Sequence, residues 1–262
     1  MEMIYTCYEM IRDCRLDKPE GWSFFVSGYV PLIRKLLAHY APAEAPDGAL
    51  LRRILQAARQ PESSLFQSLE PAPERWFIAE LRQKVLAEID APPAELELDL
   101  ETVALALGPL TLTEKQAAWI ETMHYGPKET GAMLRMAPLT VEKIRARAAE
   151  LIRAAAPAWN RAILAANGAA LGRAAAAAST PACLSAKVFL DILDGRATWR
   201  GREEMERHVN GCWHCIDLFC RMTEVVELIR GVEPLAESEA APLRQAMGVR
   251  LPRPSLWKRL VG

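Results

Sequence analysis

The chain lacks the features that would direct it to a membrane or out of the cell. It opens MEMIYTCYEMIRDC, with acids at Glu2, Glu9 and Asp13, whereas a secretory signal needs a positive start followed by an apolar run. The most apolar stretch, RAILAANGAALGRAAAAAS over 161–179, is broken by Arg161, Asn167, Gly168, Gly172 and Arg173. Alanine is barely apolar, so this is a poor membrane span, and a cytoplasmic protein with no membrane partner is expected. An excess of one charge is lacking as well: 32 basic residues meet 33 acids, for a net charge of −1. The whole-chain balance offers no attraction to nucleic acid, so any basic patch must be local. Histidine is scarce, at His39, His124, His208 and His214 alone. No Ser/His/Asp set or phosphate loop is in view, and the chain is not expected to be an enzyme. Runs of β-branched residues are absent too, which argues against strands.

Alanine, leucine, arginine and glutamate fill the chain instead, and they favour helix. With 51% hydrophobic and 25% charged residues, a packed core is within reach. The expected fold class is all-α. Proline clusters at APAEAPDG (41–48), EPAP (70–73) and APPAE (91–95) mark breaks, as do Pro157 and Thr180-Pro181. Between them lie helices with apolar faces: WSFFVSGYVPLIRKLLAHY, GALLRRILQAAR and ERWFIAELRQKVLAEI in the first block, then groups over 100–156 and 181–232. The Ala-rich 158–179 reads as a helical connector, with a flexible linker as its alternative.

Six cysteines in a reducing compartment point to thiols or metal ligands before disulfides. Cys212 and Cys215 form a C-x-x-C pair in VNGCWHCIDLFC, and His208 stands four residues before Cys212. On one helix, positions i and i+4 share a face, so His208, Cys212 and Cys215 can aim at one ion. Zinc takes four tetrahedral S/N ligands in a closed structural site, and Cys183, just before LSAKVFLDILDG, is the candidate fourth. Buried cysteines beside a surface histidine, or a redox pair, are the other readings of the same residues. His214 projects elsewhere and is expected to be exposed. Cys220 is expected in the core, and Cys7 and Cys14 on an apolar helix face. A zinc enzyme is disfavoured, since four protein ligands leave no open position for water or substrate.

His208-x-x-x-Cys212-x-x-Cys215 with Cys183 upstream resembles the zinc-binding domain of bacterial anti-sigma factors. The flanking text fits: a short helix ending in LDG (193–195), then GREEMERHVNGC leading into the ligands. The resemblance covers 181–232. It implies a small helical bundle that grips a sigma factor and is sometimes tuned by thiol oxidation.

Residues 112–153 read as two helices across a tight turn, the helix-turn-helix plan. Thr113-Glu114 suits a helix start, Gly126-Pro127 ends that helix, and KETGAMLRM forms a short one. Ala137-Pro138-Leu139 is expected to turn, and a longer helix to open at Thr140. From 128 to 153 six bases (Lys128, Arg135, Lys143, Arg145, Arg147, Arg153) face three acids (Glu129, Glu142, Glu150), so basic side chains there can meet phosphates. In a reading head, Thr140, Glu142, Lys143 and Arg147 share the exposed, DNA-binding side while Val141, Ile144, Ala148 and Leu151 face the core. A solvated helix in an ordinary bundle is the alternative. Glu129-Thr130-Gly131, Leu134-Arg135-Met136-Ala137, Thr140-Val141 and Arg147-Ala148 resemble, without gaps, region 4 of extracytoplasmic-function sigma factors of the sigma-70 superfamily. Thr130, Gly131, Arg135 and Ala137 depart from that family's Ile, Ala, Gly and Ser, and these departures are expected to weaken helix packing and the turn.

Residues 22–90 resemble sigma region 2. Trp22, Phe25, Tyr29 and Pro31 match its opening helix, 50–59 its polymerase-docking helix with Arg52 and Arg53 in place of acids, and Trp76-Phe77 the aromatic pair of its promoter-opening helix. The bases and acids from 20 to 90 nearly cancel, and Trp22, Phe24, Phe25, Tyr29, Trp76 and Phe77 are expected in the core. The resemblances give an order: a region 2-like domain over 1–95, a region 4-like helix-turn-helix domain over 100–157, the connector over 158–180, a zinc-binding anti-sigma-like domain over 181–235 and a basic tail over 236–262. The tail carries Arg250, Arg253, Lys258 and Arg259 around Trp257. They imply a sigma-factor-like transcription regulator whose partners are core RNA polymerase, promoter DNA or a separate sigma factor. The alternative is a degenerate sigma-like protein acting only through protein–protein contacts.

Overall fold

A computed structural model describes residues 5–43, 48–60, 64–67, 73–89, 99–158 and 161–249. The proline clusters at 70–73 and 91–95 fall largely outside these residues, as does the basic run 250–262. Among the described residues the chain is all-helical.

The first group comprises α1 (Cys7–Arg15), α2 (Pro19–Tyr40), α3 (Ala49–Arg59), α4 (Ser64–Gln67) and α5 (Glu74–Glu88). Local chemistry starts these helices: Thr6 caps α1 through a reciprocal pair with Glu9, and Pro19 opens α2 at its first turn, where its missing N–H costs nothing. Trp22, Phe25, Tyr29, Phe66 and Phe77 pack edge-on and stacked at the centre. Phe24 and Trp76 are half-buried against the same core. The aromatics are therefore core, as the sequence predicted, while Arg52 and Arg53 stand exposed.

The second group comprises α6 (Leu100–Leu107), α7 (Leu112–Thr122), α8 (Pro127–Leu134) and α9 (Pro138–Ala155). The cap of α7 is Thr111, paired with Glu114, two residues ahead of the expected start. The turn also differs from expectation. It is formed by Arg135, Met136 and Ala137, with Arg135 left-handed at φ 54 and the Met136 amide returning to the Gly131 carbonyl. Pro138 is the first residue of α9 rather than part of the turn, because its fixed φ suits a helix N-terminus. Gly131 is needed here: a Cβ would lie 2.6 Å from the Met136 carbonyl oxygen.

The Ala-rich segment forms α10 (Arg161–Ala177), which packs on α5, α7 and α13. Gly168 and Gly172 lie one turn apart on its contact face. A Cβ at Gly168 would sit 2.0 Å from the Thr122 carbonyl oxygen, and one at Gly172 2.8 Å from Leu86 Cδ1. The glycines let two backbones approach closely, which is a packing role.

The last group is α11 (Ala186–Leu193), α12 (Trp199–Val209), α13 (Trp213–Leu228) and α14 (Glu237–Ala246). α14 returns to lie on α2, where the Leu235 amide donates to the Ser27 carbonyl at 2.8 Å and Arg34 pairs with Glu239 at 3.1 Å. α13 is central, with neighbours α2, α5, α7, α8, α10, α11 and α12. Among the described residues no helix is long and apolar enough to cross a membrane.

Candidate metal centre and the helix it anchors

Four side chains converge where α11, α12 and α13 meet. One ligand atom from each of Cys183, His208, Cys212 and Cys215 lies within 4.8 Å of every other, a wider spread than the roughly 4 Å that the bond lengths of zinc require. Cys183 Sγ is 3.7 Å from Cys212 Sγ, close to the sulfur–sulfur edge of about 3.8 Å in a tetrahedron with Zn–S near 2.3 Å. His208 Nε2 is 3.2 Å from Cys215 Sγ. The cluster can hold a metal ion, and its three sulfurs and one imidazole are a zinc-compatible set.

The route to this geometry differs from a single helical face. α12 ends at Val209 with Asn210 at its cap, Gly211 follows, and Cys212 is already the cap of α13. His208 thus comes from one helix end and Cys215 from the first turn of the next. Helix N-termini favour thiolates, so α13 presents Cys212 and Cys215 at its positive end.

Residues around the cluster hold the sulfurs. The Thr180 amide and hydroxyl lie 3.2 and 3.6 Å from Cys183 Sγ, and the Leu184 amide is 3.4 Å from Cys215 Sγ. Burial opposes ionisation of Cys183, but the contacts from Thr180 and the neighbouring thiols outweigh it and hold that thiol below its ordinary value. Burial pushes the Cys215 thiol up to about 12. A bound cation reverses that balance, since coordination deprotonates the thiol.

His214 is not exposed, contrary to the sequence expectation. It is half-buried, with Nδ1 3.1 Å from the carbonyl oxygens of both Ala175 and Ala176. An imidazole N–H there satisfies the last carbonyls of α10, which the helix leaves open. Cys220 is fully buried and Cys14 buried, while Cys7 is half-buried against the core.

From the Cys/His cluster α13 runs into the interior and carries a charged stripe that sequence reasoning missed: Asp217, Arg221 and Glu224, all buried. Arg82 of α5, 1% exposed, meets Glu224 at 2.7 Å and Asp217 at 3.5 Å. The Trp119 indole of α7 donates to Asp217 at 3.0 Å, and the Tyr125 hydroxyl to Glu224 at 2.9 Å. Tyr40 Oη accepts from Arg82 at 2.8 Å, and Arg221 closes on Asp217 at 2.8 Å. Burial raises the Glu224 carboxyl above its ordinary value, against the pull of Arg82. The signal lay in the text as charges spaced four and three apart within an otherwise apolar helix.

The residues expected to read DNA divide. Thr140, Glu142, Lys143 and Arg147 are exposed on α9, and Val141, Ile144 and Ala148 are buried. Leu151 is only half-buried, with Ile152 taking the core position. Arg147 pairs with Glu114 at 3.0 Å. Arg145 does not face solvent: it is 4% exposed and donates to the Tyr125 carbonyl and the Thr130 hydroxyl, each at 2.7 Å. Thr130, in place of the aliphatic residue, thus has its hydroxyl satisfied from the neighbouring helix.

No protein-family model matches the chain, and searches of curated proteins and of solved structures found no similar protein.

Proposed function

We propose that the protein is a zinc-dependent, sigma-factor-like transcription regulator in which α13, anchored by the ion, clamps the region 2-like and region 4-like helices together. One observation carries this reading: α13 begins at the Cys183, His208, Cys212, Cys215 cluster and places Asp217 and Glu224 against Arg82 of α5, Trp119 of α7 and Tyr125 in the segment that follows α7. An anti-sigma-like helix bound to its target in one chain has this connectivity. Because clamp and target are covalently joined, the effective local concentration keeps them engaged.

The partner in this reading is core RNA polymerase, with promoter DNA meeting the exposed face of Thr140, Glu142, Lys143 and Arg147. The test is binding of the purified chain to core polymerase, followed by run-off transcription, with zinc present and after chelation. Weak binding with zinc and stronger binding without it supports the clamp; no binding in either state refutes the polymerase partner. A second reading, action through protein contacts alone, is favoured by the burial of Trp22, Phe25, Tyr29 and Phe77, which leaves those rings unable to stack on unpaired bases. Polymerase binding without run-off product would select it.

A further inference from the structure

A cavity of about 590 Å³ opens between the region 4-like helices and the zinc-anchored group, lined from α5, α7, α8, α11, α12 and α13. Its volume falls within the roughly 300–1,000 Å³ usual for small-molecule sites. Its charge is one-sided: Arg75, Arg135, Arg202 and Arg230 line it against one carboxylate, Glu227. Arg75 is occupied by Asp194 at 2.6 Å and Arg230 by Glu227 at 2.7 Å. Arg135 and Arg202 make no ion pair among the described residues.

Gln116 of α7 adds an independent sign. Its side chain lines the same cavity, the residue is 5% exposed, and its Nε2 has no hydrogen-bond partner. A buried donor without an acceptor is costly, and a ligand oxygen would satisfy it. Thr113 and Thr223 add hydroxyls, and Met133, Ile192 and Phe219 supply an apolar wall.

We infer that this cavity binds a small organic phosphate of nucleotide size. Guanidinium groups recognise phosphate oxygens through paired N–H bonds, and the surplus of arginines suits an anion of more than one charge. Gln116 Nε2 donates to the ligand from below, and the apolar wall receives its ring. The occupant would touch α7 and α8 on one side and α11, α12 and α13 on the other, and so would hold the two groups together. This site is separate from the metal cluster and does not depend on the polymerase reading.

The experiment uses the zinc-loaded full chain with ADP as probe and adenosine as the phosphate-free control. Thermal unfolding should show ADP raising Tm by about 5–10 °C at about a hundred times its Kd, with adenosine giving no shift. Arg202→Gln, at an exposed position, should leave the ligand-free Tm unchanged and weaken ADP binding about tenfold, the loss of one charge-assisted contact. Gln116→Met should raise the ligand-free Tm, because the orphan donor is gone, while diminishing the ADP shift. The inference is overturned if ADP produces no shift, if adenosine shifts Tm equally, or if both variants respond to ADP as the parent does.

Discussion

At the scale of single residues, the strongest commitments are buried charges. Among the described residues Arg82 is the one cation paired with Glu224, and it also faces Asp217. Arg82→Met would leave Glu224 buried without a counter-ion, a change that costs about 3–5 kcal/mol. Urea titration followed by tryptophan fluorescence should show a midpoint lowered to match, and an unchanged midpoint would mean the network is dispensable. Acid sensitivity has a different source. Asp13 is buried and accepts from Tyr5, Arg12 and Lys18 at 2.8, 2.9 and 3.0 Å, and these donors, Arg12 foremost, hold its carboxyl below the ordinary value of 3.8. A depressed folded-state value gives stabilisation that is present above pH 3.8 and lost as pH falls below it. Asp13→Asn should therefore lower stability at neutral pH and flatten its decline between about pH 4 and 2; an unaltered acid limb in chemical denaturation would contradict this. Neither group was legible in the sequence as more than a charge on a helix, because what makes them matter is the neighbour each meets across the fold.

At the scale of elements, the sequence was most legible where chemistry is local. The helices of the first block, the start of α7 to within two residues and the short-turn-long pattern of α8 and α9 follow from periodicity and from proline at helix starts. The turn was displaced because Pro138 reads equally well as a turn residue and as a first helical residue; the decision rests on Gly131, whose missing side chain admits the Met136 carbonyl. The Ala-rich segment was legible as helix, but its close packing was not, since Gly168 and Gly172 look like weak points until α7 and α5 are seen against them. Gly168→Ala should cost more than the roughly 1–3 kcal/mol typical of overpacking, because the clash is with backbone. Gly28→Ala, where a Cβ meets nothing within 4 Å, should stabilise α2 by about 0.5–1 kcal/mol. Equal and opposite effects on the denaturation midpoint are not expected; similar destabilisation by both would show that helix flexibility matters and not contact. For α9, the exposed side of Lys143 and Arg147 stands open in the intact chain, so DNA binding can be measured without truncation. Replacing both with Ala should weaken binding and reduce the salt slope by about 0.9 per lost phosphate contact. An identical salt slope in the double variant would remove α9 as a DNA-contacting helix.

At the scale of the whole molecule, the four candidate metal ligands were legible from spacing, and Cys183, His208, Cys212 and Cys215 come together, though within 4.8 Å and not the tighter spread that zinc requires. What spacing could not reveal is where the helix beyond them goes. The C-x-x-C text suggests a small module with its own modest core, yet Cys215, Ile216, Leu218, Cys220, Met222 and Val225 are buried in a helix that touches most of the other elements. The candidate metal site and the main core are therefore joined through one element, and removal of an ion bound there should be felt far from the sulfurs. The scale for a zinc ion is given by finger peptides, where structural zinc contributes about 10–16 kcal/mol of apparent binding free energy at neutral pH. Hydrogen–deuterium exchange on the full chain, with one bound zinc per chain verified beforehand and then after chelation, tests the central claim most directly. The account predicts that chelation removes protection from α13 together with α5 and α7. A metal-free chain in which α13 stays as protected as before, or a purified chain that never binds zinc, would contradict it.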